Sequence, residues 1–397
     1  MKRFFVTSGK RITRRELISL LALLVVIAVG VHARAPTKYL VYVGTYTDHG
    51  SKGIYVCKFD AATGRLGAPV LAAESLEPSF LAVTTDHRFL YASNEVETFN
   101  GQATGALSAF TVNARTGKLT LLNEVSSRGA GPAHIAVDRS GHYALVANYD
   151  GGSVAALRLM PNGKIGESTA FVQHKGSSVN HERQEAPHAH EVVMSPDNRF
   201  AIVVDLGIDE VLAYPFDAAN GTLGAARIVK SEAGVGPRHV AFGADEKFVY
   251  VVNELSSTIT AYSYDAQNGA MTSVQSISAL PDGFKGTSTA AEIAVDPSGK
   301  FLYASNRGDD SIAVFAIDSA KGTLAPVQHI STQGKTPRNF AIEPTGMWLI
   351  AANQDSNSVV TFRIDKETGR LTASGQAVEV NSPSVVAFVR TDGSGQN

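Results

Sequence analysis

One short pattern governs what this chain can fold into. Two or three apolar residues followed by Asn or Asp recur as LYASN ending at Asn94, ALVAN at Asn148, AIVVD at Asp205, VYVVN at Asn253, LYASN at Asn306 and LIAAN at Asn353. The spacing between these copies runs from 47 to 57 residues, and LVYVGTYT, Leu40 to Thr47, has the look of one more copy. Before most copies stands an apolar strand and a turn, such as IAVDRSGHY or VVMSPDNRF. After most of them comes an alternating stretch such as SVAALRL or TITAYSY, then a D-x-x-G-type turn and a weaker fourth stretch. Alternation with period two marks a strand with one face buried. The Gly, Asn and Asp turns allow the backbone conformations that hairpins need. A four-strand unit at this period is the blade of a β-propeller.

The expected fold is therefore all-β: a seven-bladed β-propeller of four-stranded antiparallel blades. The chain opens with the second, third and fourth strands of a blade, from about Tyr39 to Ala73, and ends with a lone first strand, Ser384 to Val389. That strand is expected to complete the N-terminal blade and close the ring, which removes the sheet edges that invite aggregation. The propeller is placed at residues 36–390 and a disordered polar tail at 391–397.

The first 35 residues form a separate unit. Lys2, Arg3, Lys10, Arg11, Arg14 and Arg15 lead into an apolar run of 15 residues, Leu17 to Val31, followed by Ala33-Arg34-Ala35. A basic lead, a short apolar core and small residues at the exit describe a secretory signal peptide. Thr13 to Ser19, TRRELIS, resembles a twin-arginine signal; an ordinary signal is the alternative. A membrane span needs about 20 apolar residues, so an uncleaved anchor is the second reading. The expected location is periplasmic or secreted.

Charge is nearly balanced, 35 basic residues against 37 acidic, which argues against a nucleic-acid partner. The single cysteine, Cys57, excludes an intrachain disulfide and a cysteine-based zinc site. H-E-x-x-H, G-x-S-x-G and phosphate-loop patterns are absent. No cofactor and no metal are expected. His188-Ala189-His190 places two imidazoles on one side of a strand, yet spacing fixes no third ligand.

In a propeller the loops entering each first strand, and those after each second strand, open on one face. The entry loops here carry His134, His188 and His190, Arg238 and His239, Glu292, and Arg338 with Asn339. The loops after the second strands carry Glu95, Glu254, Arg307 and Gln354. The fold thus gathers histidines, acids and arginines at one channel mouth. Asn94, Asn148 and Asn353 are read as structural, because such side chains can hold turn backbone. Three arginines in one place need counter-charge, and a bound anion would supply it. Glu254 is either the salt-bridge partner of Arg238 or a general base kept ionised by it.

The blocks YVGTYTDHGSKGIYVCKFDAATGRL, GPAHIAVDRSGHYALVANYDGGSV, VNHERQEAPHAHEVVMSPDNRF, VGPRHVAFGADEKFVYVVNEL and TPRNFAIEPTG resemble the seven-bladed lactonase family. The resemblance runs from about Tyr39 to Val389. Members include the propeller-type 6-phosphogluconolactonases and a fungal carboxy-muconate lactonizing enzyme. It implies a catalytic set of His190, Arg238, Glu254 and Arg307, with substrate-binding expected of His134, His188, Arg338, Asn339 and Arg183. The implied activity is hydrolysis of an anionic sugar lactone; the chain itself is expected to be a monomer. Two features depart from the pattern. Ala294 stands where some relatives carry a polar or basic residue, which implies an altered anion pocket. The export signal does not suit an enzyme that meets a phosphorylated substrate in the cytosol, which implies another sugar lactone. The alternatives are a non-catalytic exported propeller that binds a ligand through the same face, and a metal-dependent lactonase.

Overall fold

A computed structural model describes residues 38–391. Residues 1–35, expected to be a signal peptide, and the tail beyond Thr391 lie outside the described residues. Within them the chain forms seven antiparallel sheets. Six run in simple chain order, from the second blade (Pro78 to Ser126) to the seventh (Pro337 to Glu379). The first blade is composite. Lys38–Thr45 pairs with Gly53–Asp60 on one side and with the C-terminal strand Pro383–Arg390 on the other. The last strand of the chain is thus the innermost strand of the first blade, and the ring closes as expected. In the first and fourth blades the outermost strand is broken in two, at Gly67 and at Gly224 to Ala226.

Every second strand is sandwiched between neighbouring blades. Phe89–Asn94, Tyr143–Asn148, Phe200–Asp205, Phe248–Asn253 and Trp348–Asn353 are buried at all positions. This explains why these segments read as continuous apolar runs. The third strands, expected to bury one face only, are also buried on both faces over most of their length, as in Ala106–Val112 and Ser311–Ile317. Seven apolar clusters fill the seven junctions between blades, including that between the seventh and the first. Trp348 of the seventh blade packs there and donates its indole N–H to Ala61 O of the first at 2.8 Å. No helix among the described residues is long and apolar enough to cross a membrane.

The Asn or Asp that ends most second strands ties its blade to the loop arriving from the blade before, whereas Asn253 donates to Thr258 and Thr260 of its own blade. Asn148 Nδ2 donates to Ser127 O at 3.2 Å, Asn306 Nδ2 to Ala279 O at 2.8 Å and Asn353 Nδ2 to Thr332 O at 3.2 Å. Asp205 makes the same tie by accepting from its neighbours, with His174 Nδ1 at 2.6 Å. Asp205 Oδ1 also takes the His188 N–H at 2.7 Å.

The turn between third and fourth strands is a second repeated device. Gly221 has φ +68°, and a Cβ there would collide with the ring of Tyr143 in the preceding blade. Gly221→Ala would combine backbone strain with overpacking of a blade junction. A loss of about 1–3 kcal/mol in unfolding free energy is expected, measured by denaturant titration. An unchanged midpoint would show that this contact does not hold the blades together.

Candidate active site

The pairing register positions the site. In each innermost strand one extra residue interrupts the ladder at the entry end. Ser384, Ser79, Ala133, His190, Arg238 and Arg338 are each passed over in the pairing with the second strand. In the sixth blade Ala291 and Glu292 together oppose Ser305. These are β-bulges, which re-aim a side chain that the pleat would otherwise send into a sheet face. The six single-residue bulges all line one small cavity at the channel mouth, together with Phe80, His239 and Asn339 from one step deeper. Its volume is about 10 Å³, close to what one water molecule needs.

A cluster of ion pairs covers this cavity. Glu254, which follows the second strand of the fifth blade, is 4 % exposed. Its Oε2 accepts from Arg238 Nε and from Arg307 Nη2, both at 2.9 Å, and its Oε1 accepts from Arg183 Nη2 at 2.7 Å. Arg238 is fully buried and also donates to Ala291 O at 2.6 Å. Arg307 Nη2 donates to Ala290 O at 3.2 Å, while its buried Nε has no acceptor among the described residues. Arg183 also reaches the Tyr149 hydroxyl at 3.1 Å. It rides on residues 174–188, the long connection into the fourth blade, which the buried Gln184 pins by donating to Leu206 O at 2.8 Å. The longest repeat spacing in the sequence, 57 residues between Asn148 and Asp205, reflects that insertion.

Arg338 is held more loosely. Its guanidinium lies over the ring of Tyr46, 5.0 Å from the centroid, and 3.9 Å from Glu95. Tyr46 in turn donates to Glu95 at 2.7 Å. Four guanidinium groups therefore share two carboxylates in this set of ion pairs. The surplus positive charge is what an anionic ligand would neutralise.

The two expected imidazoles part company. His190 occupies the bulge and His188 lies just before the strand Ala189–Met194, so they do not share a face as strand neighbours would. They bracket Tyr149 instead: His188 stacks on its ring at 4.5 Å and His190 meets it edge-on at 5.4 Å. His188 Nδ1 lies 3.0 Å from Tyr149 O. Among the described residues no group of three or more His, Cys, Asp or Glu side chains could hold a metal ion. Ala294 packs against the apolar junction of the sixth and seventh blades, away from the residues that line the mouth. It therefore carries no information about the anion pocket.

One step below the bulges runs a second ring that residue-by-residue inspection of the sequence did not single out as a unit. His134 Nε2 lies 3.2 Å from Glu191 Oε1, and Glu191 Oε2 accepts the Val240 N–H of the next blade. His239 Nδ1 lies 3.2 Å from both oxygens of Glu292, whose Oε2 also accepts from Asn339. Asn339 Oδ1 accepts the Val386 N–H at 3.0 Å. His134 and Asn339, expected to bind substrate, thus belong to this buried belt. Only strand pairing reveals that residues 134, 191, 239, 292 and 339 share one level.

Burial and charge set the protonation states. For Glu254 burial opposes ionisation, but Arg307, Arg238 and Arg183 outweigh it and hold the carboxyl far below the usual range. Burial, followed by Arg238, His239, Arg338 and Arg307, holds His190 well below 6.5 and therefore neutral near pH 7. Burial, followed by Arg307 and Arg338, lowers Arg238 to about 10, so it keeps its charge. Burial pushes Glu292 up to about 7 against the Ile293 N–H, Arg238 and His134. Two carboxylates of one channel are thus shifted in opposite directions, a pattern typical of sites that move protons.

An all-β propeller whose channel mouth presents buried arginines and neutral imidazoles belongs among the propeller hydrolases. Residues 40–388 match the family described as Lactonase, 7-bladed beta-propeller, and the chain is a member of that family. It is 38 % identical over 304 residues to the 6-phosphogluconolactonase of Bacillus subtilis, covering 77 % of this chain and 85 % of that one. It is 35 % identical over 306 residues to the 6-phosphogluconolactonase of Formosa agariphila, covering 75 % and 85 %. Among solved structures, the Pseudomonas aeruginosa periplasmic gluconolactonase PpgL superposes with a TM-score of 0.83 at 34 % identity, covering 89 % of this chain and 99 % of that one.

Glu254 anchors three cations, so its folded pKa lies below the unfolded value near 4.5. Its stabilising contribution is then fully present above about pH 4.5 and lost as pH falls through the depressed folded value. Glu254→Gln is expected to lower unfolding free energy by about 3–5 kcal/mol at pH 7, the cost of leaving a buried charge unpaired. The gap to wild type should narrow below pH 4.5. A gap independent of pH would mean that the carboxylate charge is not what matters.

Proposed function

We propose that this chain is an exported lactonase that opens a sugar lactone bearing an anionic substituent, 6-phospho-D-glucono-1,5-lactone or a close analogue. The observation that carries the reading is the set of four guanidinium groups sharing two carboxylates over a mouth lined by a neutral histidine. Family membership and the named activities of the relatives support it.

Lactone hydrolysis adds water oxygen to the carbonyl carbon, breaks the ring C–O bond and returns the water's proton to the departing ring oxygen. The catalyst must stabilise the oxyanion and hold that proton in transit. Arg307 has a buried Nε free to donate to the oxyanion, beside the charge of Arg238. Arg338, the least committed cation, suits the anionic substituent. Glu254 is a poor proton acceptor because three arginines stabilise its ionised form. It serves to fix Arg183, Arg238 and Arg307 in place. A neutral imidazole facing the cavity is the better acceptor.

Export is part of the proposal. It rests on the basic lead, the apolar run and the Ala33-Arg34-Ala35 exit, and a relative described as periplasmic agrees with it. N-terminal sequencing of the protein from the periplasmic or secreted fraction should find a mature chain beginning after Ala35. An intact Met1 on a membrane-bound product would favour the anchor.

A lactone panel tests the activity, with spontaneous hydrolysis subtracted and chelator present in a parallel series. The expected result is turnover of a phosphorylated or otherwise anionic sugar lactone, unchanged by chelator. No turnover of any lactone would favour a binding propeller, and loss with chelator a metal-dependent enzyme. Arg338→Met should raise KM for the anionic lactone about tenfold or more, the loss of ~1.4 kcal/mol of binding, and leave a neutral lactone within about twofold. Equal effects on both would remove Arg338 from anion recognition.

A further inference from the structure

Two histidines face the mouth cavity. Among the described residues, His190 Nδ1 and His239 Nε2 are both buried with no hydrogen-bond partner, and both residues line the cavity. Their rings meet edge-on at 5.1 Å. Ser79 Oγ and Ser384 Oγ, on two other residues lining the cavity, are also buried and unpartnered. Four orphan polar atoms around a space of about 10 Å³ describe the binding place of one water or one oxygen atom.

What separates the two histidines is the other ring nitrogen. Ring contacts with Tyr149 and His239 place His190, and no carboxylate among the described residues is paired with it. His239 has Nδ1 against both oxygens of Glu292 at 3.2 Å. Glu292 is itself fixed, accepting from the Ile293 N–H at 3.0 Å and from Asn339 Nδ2. A carboxylate at Nδ1 selects the Nδ1–H tautomer and leaves the lone pair on Nε2. His134 has the same kind of partner in Glu191, but its ring packs against Phe80, tilted by 40° at 3.9 Å between centroids, and it is not part of the cavity wall.

We infer that His239 is the catalytic base of this enzyme, its Nε2 taking a proton from a water held in the mouth cavity, and that Glu292 is the residue that positions and stabilises it. The inference rests on the lactonase reading and deepens it. Water oxygen bonds to the lactone carbonyl carbon as its proton passes to Nε2. The resulting imidazolium is held by Glu292, and its proton goes to the ring oxygen as the C–O bond breaks. No co-reactant is needed. The groups that face the pair are Arg238, His134, Glu191, His190 and Arg338. Burial and the cations among them hold His239 well below 6.5, while burial pushes Glu292 up to about 7. The competent form, neutral imidazole beside ionised carboxylate, therefore appears as pH rises through about 7 and Glu292 loses its proton.

The test combines kinetics with a spectroscopic readout on wild type. Glu292→Gln should lower kcat about 10²-fold or more, leave KM within about twofold and remove the acid limb near pH 7 from the kcat profile. Glu292→Asp should recover part of the rate. His239→Gln should match Glu292→Gln, and a double variant should add little to either. Wild-type kcat with an intact acid limb in Glu292→Gln would overturn the inference, and so would a loss confined to KM. Nitrogen-15 spectra of histidine-labelled wild type, with His239 assigned from its variant, should show the Nδ1–H tautomer above pH 8. An Nε2–H tautomer would overturn the inference even if every variant misfolded. Failure of wild type to open any lactone would sink the lactonase reading, and the base assignment with it. Wild-type turnover that is indifferent to Glu292 would sink this inference alone.

Discussion

One extra residue in each innermost strand is the constraint on which the site depends. A regular strand alternates its side chains between the two faces of a blade, and both faces pack against neighbouring blades. A polar side chain at such a position would be buried in an apolar junction at a cost of several kcal/mol. The bulge lifts one residue per blade out of that alternation. The backbone device is the same throughout, so the residue type at each bulge can vary without disturbing the junctions. Ser384, Ser79 and Ala133 form an arc of small residues across the first three blades. His190, Arg238 and Arg338 supply the bulk and the charge from the fourth, fifth and seventh. Space lies on one side of the mouth and chemistry on the other.

The charged layer above the bulges and the polar belt below them do different work. Above, Glu254 binds three guanidinium groups drawn from the segment before the fourth blade and from the fifth and sixth blades. Without it these cations would repel one another in a water-poor space. Below, hydrogen bonds run between consecutive blades from His134 to Val386, and a tilted ring contact between Phe80 and His134 continues the course. Buried polar groups of this kind are costly unless each finds a partner. Among the belt's leftover polar atoms, His239 Nε2 belongs to a residue that lines the cavity, where a water or a substrate oxygen can satisfy it.

The fold was legible because the repeat is periodic and local: six copies of an apolar run ending in Asn or Asp, plus a blade split into three strands at the start and one at the finish. The shared face of His190, Arg238, Glu254, Arg307 and Arg338 followed from topology alone. What stayed hidden depends on register. Nothing in Pro237-Arg238-His239 announces that Arg238 is bulged and that His239 drops one level toward Glu292, 53 residues away. His188 and His190 look like strand neighbours until the bulge at His190 separates them. Arg183 could be placed near the site by likeness to relatives, but its reach to Glu254 depends on how residues 174–188 cross the mouth. Ala294 misled for the same reason: one step along a strand exchanges channel for blade junction.

Glu254 and Glu292 show how one channel gives two carboxyl groups opposite tasks. Both are buried, and burial alone would raise both. Glu254 meets three guanidinium groups in direct contact and becomes a fixed anion that takes up a proton only in strong acid. Glu292 meets an amide, a backbone N–H and an imidazole, partners too weak to offset its desolvation, so it changes charge near neutrality. A fixed anion can position cations but cannot follow a reaction in which a proton appears and disappears. A carboxylate poised near neutrality, against an imidazole whose other nitrogen faces the cavity, can do so. The division follows from where the arginines point: toward the layer after the second strands, leaving the belt beneath with neutral hydrogen-bond donors.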